Sequence, residues 1–261
     1  MSETAIITAI ISDVHGNLEG LEAVLADIDR QGITDIICLG DIVGYGPNPA
    51  ECTDLVRQRC QLVIRGNHDD ALIHGPIGFT HMAREAIEWT RKCMRPRLWR
   101  RGSAERWKFL ENLPVKANWE DLLLVHGSPR DPTSEYVMDR DLAMGDHQKF
   151  VEIFELIETG CLVGHTHVPG VFYDESERTR WVAQADLGGP FQYEDTKMLI
   201  NVGSVGQPRD RDPRACYLSV DPSAREFCFH RIDYDVQVTR RKIHETPGLS
   251  DQLGDRLGDG V

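Results

Sequence analysis

Through the first part of the chain, short apolar runs alternate with amphipathic stretches, and each run ends on a polar cluster that contains glycine. Residues 6–11 form the first run. After it, Leu18, Leu21, Leu25 and Ile28 recur on one helical face, opened by Asn17 as an N-cap and closed by Gly32. The unit repeats at 35–39, followed by a helix from Asn48-Pro49, and at 61–64, followed by a helix from near Asp69. Such β-α alternation predicts a largely parallel sheet.

Residues 76–113 break the alternation. They read as a helical insertion over the sheet, with Trp89, Trp99 and Trp107 expected to pack against the body. Arg91, Lys92, Arg95, Arg97, Arg100 and Arg101 crowd the same segment; a lid that recognises phosphate or a nucleotide is one reading, but with Glu85, Glu88 and Glu105 nearby a solvated helix face is the preferred one. Strands resume at 122–125 and 162–163. Between them a helix capped by Asp146 presents Phe150, Ile153, Phe154 and Ile157 on one face. Beyond Gly170, turn-bounded runs at 171–173, 181–185, 197–201, 215–220 and 226–232 predict a second, mainly antiparallel sheet packed on the first. One domain over 1–246 accounts for these elements, ending in a helix near 235–244, and 247–261 reads as a polar tail whose end has no fixed structure.

Composition narrows the classes. The 261 residues suffice for one sizeable core. No basic n-region opens the chain, and its first apolar run is interrupted by Thr8 and met by Asp13, so neither a signal peptide nor a transmembrane span is expected. Seven cysteines without a CxxC pair read as reduced thiols, which points to the cytoplasm. A formal net charge of -13 disfavours a long polyanionic partner such as duplex DNA, yet leaves room for a small phosphate ester held by metal.

Five polar motifs follow strand candidates: Asp13-Val14-His15-Gly16-Asn17, Gly40-Asp41, Gly66-Asn67-His68-Asp69, His126-Gly127 and Gly164-His165-Thr166-His167. In an open α/β sheet those positions line a ligand crevice. Alternate residues of an extended segment share a side, so Asp13 with His15, and His165 with His167, are expected to face one nest. Singly, Asp13 or Asn67 also reads as a helix cap, Gly40-Asp41 as a turn and His126 as a satisfied buried histidine. Jointly, five of the ten histidines at strand ends, beside two aspartates and an asparagine, favour a metal site. The absence of thiolate among these donors suits manganese, iron, zinc or nickel rather than a structural zinc.

The ordered series Asp-x-His, Gly-Asp, Gly-Asn-His-Asp, His, Gly-His-x-His resembles the calcineurin-like metallophosphoesterase superfamily over residues 13–167. The segment from Asn201 through Gly203-Ser204-Val205-Gly206-Gln207-Pro208 to Arg209 is similar to a stretch of its small bacterial members. The resemblance implies an α/β fold in four layers, α/β/β/α: a two-sheet β-sandwich flanked by helices. It implies two divalent metal ions, manganese first, one on Asp13, His15, Asp41 and His167 and the other on Asp41, Asn67, His126 and His165. Asp41 would bridge them. His68 would be the general acid, Asp69 would orient or charge-stabilise its imidazole, and Arg65 reads equally as a phosphate contact or as half of a surface ion pair. The implied reaction is hydrolysis of a phosphate ester by a hydroxide held between the metals. The substrate would be a phosphoprotein, a nucleotide or another small ester.

One departure stands out: Gly44-Tyr45-Gly46-Pro47 occupies the place where the family's protein phosphatases carry Asp-Arg-Gly. Two competing readings are a protein-interaction scaffold of the same fold and a nuclease acting on short nucleic acid ends. Intact ligands weigh against the first, and length and charge against the second. Arg209 and Arg211 read as ion-pair partners of Asp210 and Asp212, with no catalytic role.

Overall fold

The computed structural model describes residues 7–175, 178–193 and 196–261. The chain begins β1 (Thr8–Ile11), α1 (Leu18–Arg30), β2 (Asp35–Cys38), α2 (Pro49–Arg59), β3 (Leu62–Val63) and α3 (Asn67–His74). Then come α4 (His81–Met94) and α5 (Ser103–Glu111), followed by β4 (Lys116–Trp119), β5 (Leu122–Val125), α6 (Asp139–Ala143), α7 (His147–Glu155) and β6 (Gly160–Val163). Next are β7 (Gly170–Glu175), β8 (Arg178–Ala183), β9 (Phe191–Gln192), β10 (Met198–Asn201), β11 (Ala215–Asp221) and β12 (Glu226–Ile232), before α8 (Val236–His244) and α9 (Asp251–Asp255).

The strands form two six-stranded sheets, ordered β3-β2-β1-β11-β12-β9 and β4-β5-β6-β10-β7-β8. Alternation within strands builds the layers. Ile10, Ile37, Leu124, Leu162, Ile200 and Leu218 meet between the sheets. Their neighbours Ala9, Ile11, Ile36 and Cys38 turn outward onto α1 and α2. On the far side Val125, Cys161, Val163 and Leu199 turn onto Phe150, Ile153 and Phe154 of α7. Both faces of β1 and β6 are therefore buried, which is why, Thr8 apart, β1 is apolar and why Cys161, Leu162 and Val163 follow one another in β6. The four-layer α/β/β/α sandwich follows from this pattern.

The division of strands differs from the expected one. β11 and β12 return to the first sheet, where β11 lies antiparallel to β1, while β5 and β6 belong to the second. Both sheets are consequently mixed. Apolar alternation shows that a strand has a buried face but not which sheet it joins. β4 was not anticipated because it is an edge strand whose positions alternate exposed and half-buried, with few apolar residues.

Two of the three tryptophans pack as expected. Trp107 lies against the core beneath α1 and α2, and Trp89 lies against the C-terminal cluster. Trp99 is 76% exposed, with the Arg97 guanidinium over its ring. The polar end of the chain also differs from expectation: α9 and the turn after it bury Leu253 and Leu257 with Leu249 against Ala86 and Ile243. A buried leucine contributes about 1.5–3 kcal/mol, so these contacts help hold the segment in place. Their spacing is masked in the sequence by intervening glycines and acids.

Candidate metal centre

Every strand-end motif arrives at one edge of the sandwich, and backbone hydrogen bonds lock the loops together. Asp13 N–H donates to the Gly40 carbonyl (3.0 Å), His15 N–H to Asp41 (2.8 Å), and Gly164 N–H to His126 (3.0 Å). From the segment after β10, Val205 and Gly206 donate to the carbonyls of Ser12 and Asp13. The Asn201 amide ties this segment to the Gly164 carbonyl and to Thr166 Oγ1. The sheets thus position the loops, and the loops hold one another.

The expectation that extended alternation pairs these ligands is corrected by the backbone. Asp13, His15, Asp41, His165 and His167 have φ of 54°, 48°, 52°, 65° and 62°, all in the left-handed region. A non-glycine residue there costs about 1–2 kcal/mol. Five such residues in one cluster mark strain concentrated at a functional site and held by the interlocked loops. Gly164 permits a close approach, since a Cβ on it would lie 2.4 Å from Asp13 Oδ2, the atom that accepts from His165 N–H.

The side chains converge. Asp13 Oδ1 is 3.1 Å from His167 Nε2 and 3.7 Å from His15 Nε2. Asp41 Oδ2 is 3.6 Å from His15 Nε2 and 3.4 Å from His126 Nε2, while its Oδ1 accepts from the His68 amide at 2.7 Å. Asn67 Oδ1 lies 3.2 Å from His126 Nε2. Ligand atoms of Asp13, His15 and His167 form one compact trio, and those of Asp41, His126 and His165 another. Asp41 also stands with His15, so it lies between the two groups.

Backbone carbonyls orient four imidazoles. His15 Nδ1 contacts Val43 O (3.2 Å), His126 Nδ1 contacts Leu39 O (2.9 Å), and His167 Nδ1 contacts Gln207 O (2.6 Å). His165 is reversed, its Nε2 contacting Ser134 O at 3.0 Å. A nitrogen that donates to a carbonyl leaves the other ring nitrogen as a lone pair, the arrangement typical of metal-bound histidines. His68 lacks this feature: its Nδ1 is buried without a partner. Although it forms a further compact group with His15 and Asp41, its orientation is set differently.

Electrostatics agree with a cation site. Burial opposes charge on Asp13 and Asp41, but His167 and His126 beside the former, and His126 and His68 beside the latter, outweigh it and hold both carboxyls below the usual range. Burial depresses His15 and His167 and takes His165 to about 3. For His126 burial acts the same way, yet Asp41 and Asp13 overcome it and raise the imidazole to about 9.

The donor set fits divalent metal. His15 Nε2 and His167 Nε2 lie 3.1 Å apart, and each ring's other nitrogen faces a carbonyl, so two lone pairs point at each other. Asp13 Oδ1 is buried beside them without a hydrogen-bond donor. A shared cation satisfies all three atoms, with imidazole and carboxylate ligands suited to first-row metals.

Around this centre three expectations are corrected. Asp69 does not touch the His68 ring. As the third residue of α3, its oxygens accept from the amides of Gly66 (3.1 Å), Asp41 (2.8 Å), Ile42 (3.0 Å) and Val43 (3.4 Å), so it fixes the turn carrying Asp41. Burial and then the Asp41 carboxylate push it up to about 7. Arg65 is turned towards α3 and α5, with Nη1 3.4 Å from Asp70 and Nη2 donating to the Glu111 carbonyl, so the expected phosphate contact has no support. Arg209 pairs with neither Asp210 nor Asp212. It lies over the Tyr45 ring, 5.9 Å from its centroid, and donates to Gln207 Oε1.

The departure at residues 44–47 also acquires a meaning. Gly44 has φ of 92°, and a Cβ there would lie 2.2 Å from His68 Nδ1, so this loop makes room for the imidazole. Tyr45 stacks at 4.7 Å on His15 and 4.5 Å on His68, and Phe79 closes the other side of His68 at 5.1 Å. Tyr136 lies on His165 with centroids 3.8 Å apart and is 43% exposed. Tyr45, Tyr136 and Arg209 stand against the cluster, a placement that pattern alone did not indicate.

Comparison with known proteins agrees with this geometry. The calcineurin-like phosphoesterase superfamily domain matches residues 7–224. An uncharacterized protein of Methanocaldococcus jannaschii is 36% identical over 262 residues, covering 95% of this chain and 96% of its own. The crystal structure of a metallophosphoesterase from Sphaerobacter thermophilus superposes with a TM-score of 0.80 at 39% identity, covering 99% of this chain and 100% of the other. A hypothetical protein of Pyrococcus horikoshii shares the fold at a TM-score of 0.73 and 19% identity, with 98% of each chain covered. With its strand-end ligands gathered at one edge of two packed sheets, the chain belongs to the calcineurin-like phosphoesterase superfamily.

Proposed function

We propose that the protein hydrolyses phosphate esters with two divalent metal ions, manganese first among them and iron, zinc or nickel also suited. Asp13, His15, Asp41 and His167 would hold one ion, and Asp41, Asn67, His126 and His165 the other, with Asp41 shared. The observation that carries this reading is the convergence of imidazole lone pairs, fixed by backbone carbonyls, on two buried carboxylates. When bound, such an ion pair supplies charge for the phosphoryl oxygens and a nucleophile at neutral pH.

The chain's own residues supply the rest. His68, walled by Tyr45 and Phe79, delivers a proton to the departing ester oxygen. Burial, followed by repulsion from Arg209, His167 and His126, outweighs the pull of Asp41 and brings it to about 4; an anionic substrate beside it raises its hold on a proton. Asp69 keeps Asp41 in its strained turn through four backbone amides. The substrate is a phosphomonoester or phosphodiester of modest size, such as a nucleotide, a phosphoprotein or another small ester, and the -13 charge disfavours a long nucleic acid. Free cysteines, with Cys38, Cys52, Cys161 and Cys216 buried, support a reducing cytoplasmic setting. Among the described residues no helix is long and apolar enough to cross a membrane.

Protein stripped of metal and then supplied with manganese, iron, zinc or nickel is expected to regain cleavage of p-nitrophenyl phosphate or bis(p-nitrophenyl) phosphate, and to lose it again with chelator. Folded protein that cleaves neither ester under any of these metals, or cleaves equally well in chelator, contradicts the proposal.

A further inference from the structure

Resting on the phosphoester reading, we infer that Arg209 grips the unbridged oxygens of the substrate phosphoryl group and sets the site's affinity for phosphate. The backbone N–H of Arg209 donates to the carbonyl of His167, so the arginine follows a metal-binding loop directly. Its Nη2 donates to Gln207 Oε1 at 2.8 Å, while its Nε is buried without an acceptor.

The adjacent acids face elsewhere. Asp210 is paired with Arg231, and Asp212 with Arg214 at 2.6 Å and Arg231 at 3.9 Å. Among the described residues no carboxylate lies within ion-pair distance of Arg209. A further cation stands near: burial and then repulsion from Arg209 hold Arg256 below its ordinary value. A half-buried guanidinium without an anion, beside a centre built for two more cations, is unfavourable alone and is relieved by an anionic ligand. Arginine suits a phosphoryl group because its planar fork matches two oxygens at once.

Placement supports the same role. The guanidinium lies over the Tyr45 ring, and the rings of Tyr45 and Tyr136 in turn pack on His15, His68 and His165. Its backbone bond to His167 and its place over Tyr45 thereby set Arg209 beside the centre. The C-terminal segment braces its loop, since Arg211 N–H donates to the Gly260 carbonyl at 2.8 Å.

The test uses full-length, manganese-loaded protein with Arg209→Met, Arg209→Lys and, as a control for lost surface charge, Arg211→Met. Calorimetric titration with inorganic phosphate reads affinity, p-nitrophenyl phosphate kinetics separate KM from kcat, and metal analysis reads the centre. Arg209→Met is expected to weaken phosphate affinity and raise KM by about tenfold to a hundredfold with both metals retained. Arg209→Lys should recover part of this, and Arg211→Met should match the parent. Phosphate affinity and KM within about twofold of the parent in Arg209→Met, or loss of a metal ion from it, overturn the inference. Parent protein that binds phosphate through Arg209 yet hydrolyses nothing would instead overturn the phosphoester reading.

Discussion

Replacing Asp41 with asparagine is expected to cut kcat/KM for a phosphate ester by about a thousandfold or more, because about 4 kcal/mol of charge stabilisation corresponds to that factor. The substitution keeps the shape. One side-chain oxygen can still accept from the His68 amide, as Asp41 Oδ1 does at 2.7 Å. What is lost is the anion facing His15 at 3.6 Å and His126 at 3.4 Å, a carboxylate that stands with ligands of both groups. Metal content should fall from two ions to one or fewer while the fold persists. Steady-state kinetics beside metal analysis check this, and a loss of less than tenfold with two ions still bound would count against Asp41 as the shared ligand.

The second large effect concerns His68. Its removal is expected to lower kcat by about 10²–10⁴-fold, the range typical of a positioned proton donor. Unlike Asp41→Asn, it should leave both metals in place, because His68 lacks the carbonyl partner that orients the four other imidazoles. The defect should also depend on the leaving group. A p-nitrophenolate departs with little help, so His68→Asn should be hurt less on p-nitrophenyl phosphate than on phenyl phosphate. Equal defects on the two esters, or loss of metal from the variant, would show that His68 acts through the centre rather than on the leaving oxygen.

Much of the fold was legible because both faces of the central strands are buried. Residues 6–11, 35–39 and 162–163 read as the strand runs from sequence, and the caps Asn17 and Asp146 lie where their side chains accept from Gly20 and Lys149. Sheet membership was less visible, since Leu218 and Ile200 alternate alike although they lie in opposite sheets. Residue type and order brought the ligands to notice, but local geometry did not: the left-handed φ of Asp13, His15, His165 and His167 comes from loops that bond across long separations. The role of Asp69 was hidden for the same reason, because three of the amides that donate to it belong to Asp41, Ile42 and Val43, distant in sequence. Arg209 was obscured by flanking aspartates that in space belong to Arg231 and Arg214. The buried C-terminal leucines escaped notice because only α4 and α8, once folded, give them a surface to cover.

The central claim is that Asp41 is shared between two metal ions, and anomalous diffraction from a manganese-soaked crystal tests it most directly. The account predicts two peaks about 3.5–4 Å apart flanking the Asp41 carboxylate, one against Asp13, His15 and His167 and the other against Asn67, His126 and His165. A single peak, or peaks away from Asp41, would contradict it.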